Sequence, residues 1–301
     1  MILVTGATSA VGYTLVQELR MMGAPVRLFV RDRERVAHLA ALGVEILQGD
    51  LSNRYQVAAA MEGVERIFCS NPLDQSMVEK ERNLVVAALT SNVRHIVKLS
   101  TALIGPKWGL SGSRWHWEAE ETIRASGVPY TFLRPLFFMQ HLLRFASEIR
   151  SYNAFYAPVG GARISMVDAR DVATVAARVL TQGNHLGCAY NLSGAEALTF
   201  NEAAEQLSLA INRRVHYVTR SYTEYQEGLL AAGMPPWQAL DMVRFFDLVD
   251  KGVAAEITSE TRALLGRSPR TFGQFARDHA VLFKRPGALS AMAADVSIGA
   301  A

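Results

Sequence analysis

The chain has 301 residues, of which 50% are hydrophobic and 20% are charged, and its formal net charge is +3. This length and composition suit a globular protein with a dinucleotide-sized domain and a smaller lobe. The scattered cations exclude a nucleic-acid stripe and a polybasic membrane anchor, and no apolar run is long enough to cross a bilayer. The widely spaced Cys69 and Cys188, with no signal peptide before the first strand, predict a cytoplasmic protein.

The predicted elements begin with a buried strand at 2–4, a turn of small residues, and a helix over 11–22. Gly6 permits the tight turn, and Gly12 lets the helix approach the strand closely. The start of the helix offers backbone N–H groups and a positive dipole end to a pyrophosphate. This pattern predicts dinucleotide binding, although Ser9 occupies the centre of the loop, where glycine is more usual.

Apolar strands and amphipathic helices then alternate as far as residue 133. Strands are predicted at 26–30, 44–47, 66–69, 93–99 and 130–133, and helices at 36–42, 55–61, 76–90 and 113–125. Such alternation predicts an α/β fold, a Rossmann-type doubly wound parallel sheet with helices on both faces.

Beyond residue 135 the alternation breaks. Helices are predicted at 136–149, 169–180 with Asp168 as its N-cap, 200–211, 222–232, 236–250 and 271–283, and short strands within 153–166 and at 190–192. We therefore expect an NAD(P)-binding domain over 1–135, to which 165–192 returns, and a smaller, mainly helical substrate lobe over 136–285. A flexible tail is expected at 286–301.

The end of the second strand distinguishes the two nicotinamide cofactors. Arg31 can clamp the 2′-phosphate of NADP, with Arg33 as a weaker second cation. Asp32 could instead bind a ribose hydroxyl and admit NAD(H), or the whole turn could be a solvated charged loop. The residues favour NADP(H), and the NAD(H) alternative stays open.

Polar residues follow the next two strands at the carboxyl edge of the sheet, where open α/β sheets bind ligands. After the third strand, Asp50 could accept a hydrogen bond from adenine and Leu51 could cover the ring, or Asp50 could cap the next helix. After the fourth strand, Ser70 and Asn71 are expected near the middle of the cofactor.

The proton donor of many short-chain dehydrogenases, Tyr-x-x-x-Lys, is absent, because no tyrosine stands four residues before any of the five lysines. On the helix where it is expected, His116 and Glu120 share a face. His116 could donate a proton with Glu120 orienting it, or it could pack between two tryptophans. A substrate wall could be formed by the aromatic-rich segment, although such clusters are often plain core: Phe137, Phe138, Met139 and His141.

Several motifs together resemble the NmrA-like family of atypical short-chain dehydrogenases/reductases. They are VTGATSAVG at 4–12, VRD at 30–32, GDL at 49–51, VKLST at 97–101, HWEAEETIRASGVPYTFLRP at 116–135 and SMVDARDVA at 165–173. The resemblance extends to about residue 283 and implies a Rossmann fold, a small C-terminal substrate lobe and a preference for NADP(H). Members include NADPH-dependent quinone, triphenylmethane-dye and phenylpropanoid reductases, and non-catalytic redox sensors.

The resemblance also implies roles for individual residues. The pyrophosphate would be held by Gly6, Thr8, Ala10, Val11 and Gly12, the adenosine phosphate by Arg31, and the adenine by Asp50 and Leu51. The ribose and nicotinamide would be lined by Ser70, Asn71, Ser100 and Thr101, with the turn containing Pro135 and Phe137 closing over the nicotinamide.

These observations favour an NADPH-dependent oxidoreductase that transfers hydride to a quinone-like or other conjugated small molecule. Such an acceptor delocalises the incoming charge and needs less help from a strong acid, which suits the missing tyrosine–lysine pair. The alternative is a non-catalytic NADP(H)-binding redox sensor acting through a protein partner. No metal, nucleic-acid or membrane motif is present, and a monomer and a homodimer both remain open.

Overall fold

The structure, a computed structural model, describes residues 1–285, and the tail predicted at 286–301 lies outside the described residues. The chain divides into two compact units. Unit 1 contains Met1–Phe138, Ser165–Ala195 and Glu256–Pro269, and unit 2 contains Met139–Ile164, Glu196–Ala255 and the described residues from Arg270 onward. The segment 256–269, which the sequence analysis includes in the substrate lobe, therefore lies in unit 1.

The strands in the described part of the chain are β1 Ile2–Thr5, β2 Val26–Val30, β3 Glu45–Gln48, β4 Arg66–Cys69, β5 His95–Leu99, β6 Tyr130–Pro135, β7 Phe137–Phe138, β8 Ala154–Ala157, β9 Ile164–Val167, β10 Cys188–Leu192, β11 Ala197–Leu198 and β12 His216–Thr219. Seven of them form one sheet in unit 1, in the order β3-β2-β1-β4-β5-β6-β10. Its pairs are parallel, with Ile2 opposite both Val26 and Arg66. The predicted Rossmann-type parallel sheet is confirmed.

The α-helices are α1 Ala10–Met21, α2 Arg54–Ala60, α3 Met77–Leu89, α4 Ser111–Ser126, α5 Ala146–Tyr152, α6 Ala169–Thr181, α7 Phe200–Ile211, α8 Tyr222–Ala231, α9 Pro236–Asp250, α10 Glu260–Leu265, α11 Phe272–Asp278 and α12 Ala280–Phe283. Short 3₁₀ segments lie at Glu34–Leu42, Pro106–Trp108 and Met139–Phe145. As predicted, Asp168 caps α6 by accepting a hydrogen bond from the amide of Arg170.

Helices cover both faces of the large sheet. On one face α1 and α6 bury Leu15, Val16 and Val175 against strand residues such as Val4. On the other face α2 and α3 bury Val57 and Leu84. Every residue of β1 and β2 is buried, because both faces are covered, and this explains why the two strands are mostly apolar. The one charge in them, Arg27 of β2, pairs with Glu45.

Unit 2 is mainly helical and is built around aromatic side chains. Phe155 of β8 stacks on Phe145 and meets Phe200 of α7 edge-on, and Phe246 of α9 packs against Phe200. Strands β8 and β12 form a two-stranded parallel sheet. The aromatic contacts therefore join helices from distant parts of the chain into one core.

Two predicted helices are wrong in detail. The segment 136–149 is not one helix, because Phe137 and Phe138 pair as a strand with Met166 and Val167 of β9 before the 3₁₀ segment and α5 begin. The segment 271–283 divides at His279, between α11 and α12. Among the described residues, no helix has the length and apolar character needed to span a membrane.

Candidate dinucleotide and active site

The turn between β1 and α1 is shaped by two glycines. Gly6 has a φ of +69°, which disfavours other residues, and a Cβ there would lie 2.6 Å from the carbonyl oxygen of Ser70. A Cβ on Gly12 would lie 2.2 Å from the carbonyl oxygen of Gly6. Gly12 is thus required by the approach of the helix to the turn, which keeps the backbone compact where a pyrophosphate would lie.

Ser9 is the N-cap of α1 and has an extended backbone with φ −82°. Its hydroxyl donates to the carbonyl of Gly6 at 2.8 Å and accepts from the amide of Gly12 at 3.0 Å. The backbone at this position does not need glycine, and the serine satisfies one of the free N–H groups of the helix. Ser9, which stands where the motif usually has glycine, is therefore the cap of the helix.

A cleft of about 440 Å³ runs from this turn along the carboxyl ends of the first four strands. Eight of the predicted cofactor residues line it: Gly6, Thr8, Ser9, Arg31, Asp50, Leu51, Ser70 and Asn71. Sequence reasoning missed other lining residues, among them Phe29, Arg35 and Lys80. A larger open groove of about 640 Å³ in unit 2 contains none of the predicted site residues.

The far end of the cleft is cationic. Arg31 and Arg35 both line it, whereas Arg33, the predicted second cation, does not. Asp32 accepts a hydrogen bond from the amide of Glu34 at 3.0 Å, so one of its carboxylate oxygens is already bonded within the loop. Arg35 lies on the 3₁₀ segment after the turn, and the only sequence signal for it is its spacing of four from Arg31.

Asp50 also lines the cleft, just beyond the end of β3. Its carboxylate accepts from the amide of Ser52 at 2.8 Å, and this hydrogen bond is the main cause that lowers the pKa of Asp50. The nearby Lys80 and Arg31 lower it further, against a desolvation effect of the opposite sign. Asn53, rather than Asp50, caps α2. An ionised carboxylate, which can accept a hydrogen bond, therefore stands in the cleft.

The remaining predicted cofactor residues do not line the cleft. Ala10, Val11 and Gly12 lie in the first turn of α1 below it, and Val11 is buried in the core. On the next two strands along the same edge, β5 and β6, four more lie at or just beyond the carboxyl ends: Ser100, Thr101, Pro135 and Phe137. The glycine turn and the two cations fit a phosphorylated dinucleotide, because the N-terminus of α1 and two guanidinium groups are what phosphate binds.

Glu120 does not orient His116 in this structure. Its buried carboxylate accepts hydrogen bonds from the hydroxyl of Ser100 at 2.6 Å and from the guanidinium groups of Arg134 and Arg124. The Nδ1 atom of His116 is buried with no hydrogen-bond partner. The predicted positioning role of Glu120 toward His116 is therefore wrong.

His116 also differs electrostatically from the prediction. Burial, with a smaller contribution from the positive charge of Lys98, holds the pKa of His116 well below its ordinary value. The imidazole is consequently neutral near pH 7, and it is not the acid with a pKa near neutrality that the sequence predicts. His116 remains on α4 with its ring available only as a neutral group.

The predicted substrate residues belong to different units. Phe138 ends β7 in unit 1, whereas Met139 and His141 lie in the 3₁₀ segment that opens unit 2. Met139 is buried, and burial together with Arg144 lowers the pKa of His141 to about 4. Among the described residues, no group of His, Cys, Asp and Glu side chains is arranged to hold a metal ion.

The parallel sheet, the glycine turn and the cationic cleft define a Rossmann-type dinucleotide-binding protein. Within that class, the chain belongs to the NmrA-like family, whose model matches residues 1–276. The predicted family and fold are confirmed.

Proteins similar to this chain include several named as oxidoreductases. The NAD(P)H azoreductase of Xenophilus azovorans is 35% identical over 283 residues, 94% of this chain and 99% of that protein. The (4-alkanoyl-5-oxo-2,5-dihydrofuran-3-yl)methyl phosphate reductase of Streptomyces griseus is 37% identical over 284 residues, again 94% and 99%. The NADPH-dependent quinone oxidoreductase of Escherichia coli, solved with NADPH, is 26% identical and superimposes with a TM-score of 0.82, covering 92% of this chain and 99% of that one.

Proposed function

We propose that this protein is an oxidoreductase that uses NADPH to reduce a quinone-like or otherwise conjugated small molecule. The observation that carries the proposal is the cleft between the glycine turn and the pair Arg31 and Arg35. It belongs to a chain that is 35% identical over nearly its whole length to an NAD(P)H azoreductase. A fold with an anionic dinucleotide in this place needs cations at the end where the extra phosphate lies.

The adenosine half would be held at the end of the cleft formed by β2 and β3. Arg31 and Arg35 supply guanidinium groups for the 2′-phosphate, and the ionised Asp50 accepts from the adenine amino group. The pyrophosphate would lie against the N-terminus of α1, at the turn from Gly6 to Ser9. NADH remains an alternative cofactor, bound without the contribution of the phosphate.

The nicotinamide half would lie along the ends of β4, β5 and β6. Ser70 and Asn71 line the cleft directly, and Ser100 and Thr101 follow the next strand. Pro135 and Phe137 belong to the turn after β6. A bound NADPH supplies a hydride from its dihydronicotinamide ring, and the chain's task is to orient that ring and exclude water around it.

The acceptor class follows from the relatives and from the acid–base groups of the chain. The relatives are named for azo, quinone and unsaturated lactone substrates, all of which have π systems that delocalise an added hydride's charge. His116 is neutral near pH 7, so it does not offer an imidazolium proton. We assign protonation of the reduced acceptor to solvent, and we keep Phe138, which ends β7 in unit 1, as a proposed substrate contact.

The test is turnover with a panel of acceptors. Purified protein is mixed with NADPH and, separately, with a quinone, an azo dye and a plain ketone, and the loss of reduced-nicotinamide absorbance is followed. We expect turnover of conjugated acceptors and none of the ketone. Tight NADPH binding without turnover of any acceptor would refute the reductase and favour the redox-sensor alternative.

The cytoplasmic location and the choice between monomer and homodimer stay predictions. Cys69 and Cys188 form no disulfide bond.

A further inference from the structure

Two carboxylates are buried directly behind the ends of neighbouring strands β4 and β5. Glu81 of α3 is 2% exposed and Glu120 of α4 is 0% exposed. Each is neutralised by a cation from the strands: Lys98 Nζ lies 2.8 Å from Glu81 Oε1, and Arg134 binds Glu120 through two guanidinium nitrogens. Buried ion pairs contribute little net stability compared with apolar packing, so their position calls for another role.

Glu81 determines which end of the Asn71 amide faces the cleft. Asn71 Nδ2 lies 3.4 Å from Glu81 Oε1, the same oxygen that accepts from Lys98. An ionised carboxylate can only accept hydrogen bonds, so the amide must turn its NH₂ group toward Glu81. The carbonyl oxygen Oδ1 is then the end of the amide that can act as an acceptor in the cleft, which Asn71 lines.

Glu120 has the same effect on Ser100. The Ser100 hydroxyl donates to Glu120 Oε1 at 2.6 Å, which uses its single proton. What the hydroxyl can still offer at the carboxyl edge of the sheet is its lone pairs. Because β4 and β5 pair in parallel with Cys69 opposite Lys98, these two acceptors stand on adjacent strands of one edge.

We infer that Glu81 and Glu120 are positioning residues that present Asn71 and Ser100 as a pair of acceptors to a donor group on the nicotinamide riboside half of the cofactor. The inference rests on the proposed function. The donors with this chemistry are the carboxamide NH₂ of the nicotinamide and the hydroxyls of its ribose. A neutral amide in place of either glutamate would allow the acceptor to reverse and donate instead.

The experiment measures dissociation constants of wild type and variants for NADPH and for 2′,5′-ADP, which lacks the nicotinamide riboside. Glu120→Gln and Ser100→Ala should each weaken NADPH about tenfold, the scale of one hydrogen bond to a polar partner. The affinity for 2′,5′-ADP should stay unchanged. The double variant Glu120→Gln/Ser100→Ala should lose no more NADPH affinity than either single variant, because both changes remove the same interaction.

Matched controls come from the same helices. Glu121→Gln removes an exposed carboxylate that also pairs with Arg124, and Glu79→Gln removes an exposed one on α3. Both should bind NADPH like wild type. For Glu81, the variant Glu81→Gln/Lys98→Met avoids leaving a buried cation unpaired, and it should show the same selective loss of NADPH affinity.

A third ligand identifies the donor. The NADPH analogue with an acetyl group in place of the carboxamide lacks the NH₂ donor. If the carboxamide is recognised, Glu120→Gln binds this analogue as well as wild type does; if the ribose hydroxyls are recognised, the variant loses about as much as with NADPH. Either result supports the inference.

Undiminished NADPH affinity in Glu120→Gln and Ser100→Ala, or equal loss of 2′,5′-ADP affinity, overturns the inference. These outcomes are separate from a failure of the proposed function, which would appear as absent NADPH binding or absent turnover in the wild type.

Discussion

At the scale of single residues, the cofactor turn shows why a motif should be judged by backbone geometry. Gly6 and Gly12 are required because a Cβ would meet main-chain atoms of neighbouring segments. Ser9 is tolerated because its φ of −82° is ordinary and its hydroxyl replaces a missing helix partner. The turn motif thus contains two positions, Gly6 and Gly12, that only glycine fits, and one, Ser9, where serine caps the helix.

Gly12→Ala should damage both stability and binding. The added Cβ would meet the carbonyl oxygen of Gly6 at 2.2 Å, and backbone cannot swing aside as a flexible side chain can. We expect the free energy of unfolding to fall by about 1–3 kcal/mol, as in other overpacked sites. Thermal or urea unfolding and NADPH titration would measure both effects.

Gly228→Ala is the control, because this glycine of α8 has open space where its Cβ would stand. It should raise stability by about 0.5–1 kcal/mol through helix propensity. Equal behaviour of the two variants would contradict the steric argument.

The choice of cofactor should depend on Arg31 and Arg35. Replacing either by alanine removes a guanidinium group from the cleft, and we expect NADPH binding to weaken about 10- to 100-fold while NADH binding changes little. Arg33→Ala is the control on the same loop, since Arg33 does not line the cleft. Titrations with both cofactors would decide, and equal weakening of NADH would show that these arginines do not bind the phosphate.

We expect that ionisation of His116 does not affect the pH dependence of kcat near neutrality. Its pKa is held well below 6.5 by burial and by Lys98, so the ring stays neutral across the range where an ordinary histidine titrates. We expect the pH profile of kcat to be the same in wild type and His116→Gln between pH 6 and 8. A break in the wild-type profile that disappears in the variant would restore His116 as the proton donor.

At the scale of elements, local signals placed most helices and strands, and long-range pairing caused the errors. The strands β2 and β4 and the helices α7 and α9 have the predicted bounds. The helix expected at 136–149 failed because Phe137 and Phe138 pair with β9, a partner nearly thirty residues away. The helix α10 was missed because its six residues are too few to show a period, yet Leu265 is buried in the core of unit 1.

Thr199→Ala tests the cap that begins α7. The threonine hydroxyl accepts from the amide of Glu202 at 3.1 Å, and the Glu202 carboxylate accepts in return from the amide of Thr199 at 2.8 Å. We expect the free energy of unfolding to fall by about 1 kcal/mol. Thr199→Ser keeps the oxygen and should behave nearly as wild type; if it loses as much as alanine does, the cap is not the stabilising feature.

At the scale of the whole molecule, both units contain buried histidines that resist protonation. Burial is the largest cause for His95, followed by Arg66 and His185, and it lowers the pKa of His95 to about 4. The pKa of His141 falls to about 4 for the same main reason. Unit 1 and unit 2 therefore share a sensitivity to acid.

Stability should decrease as the pH falls from 6.5 to 4. In the unfolded chain these histidines bind a proton near pH 6.5, whereas in the folded chain they do so only near pH 4. Protons thus favour the unfolded state within that window, and the contribution is constant above and below it.

Urea unfolding at several pH values would show the trend, and His95→Gln should flatten it, whereas His38→Gln on the exposed 3₁₀ segment should not. An unchanged slope in His95→Gln would exclude His95 as a cause.

The sheet, the cofactor turn and the cofactor class can be predicted from the amino-acid sequence, because they depend on short-range periodicity and on residue types at fixed spacing. The partners of the buried charges can be identified only from the folded chain. Glu120 accepts hydrogen bonds from Ser100, twenty residues away, and from Arg134, fourteen residues away. Glu81 accepts one from Lys98, seventeen residues away. The folded chain also places Arg35 rather than Arg33 at the cleft. Such contacts depend on the directions of side chains after strands and helices have packed, which no local pattern encodes.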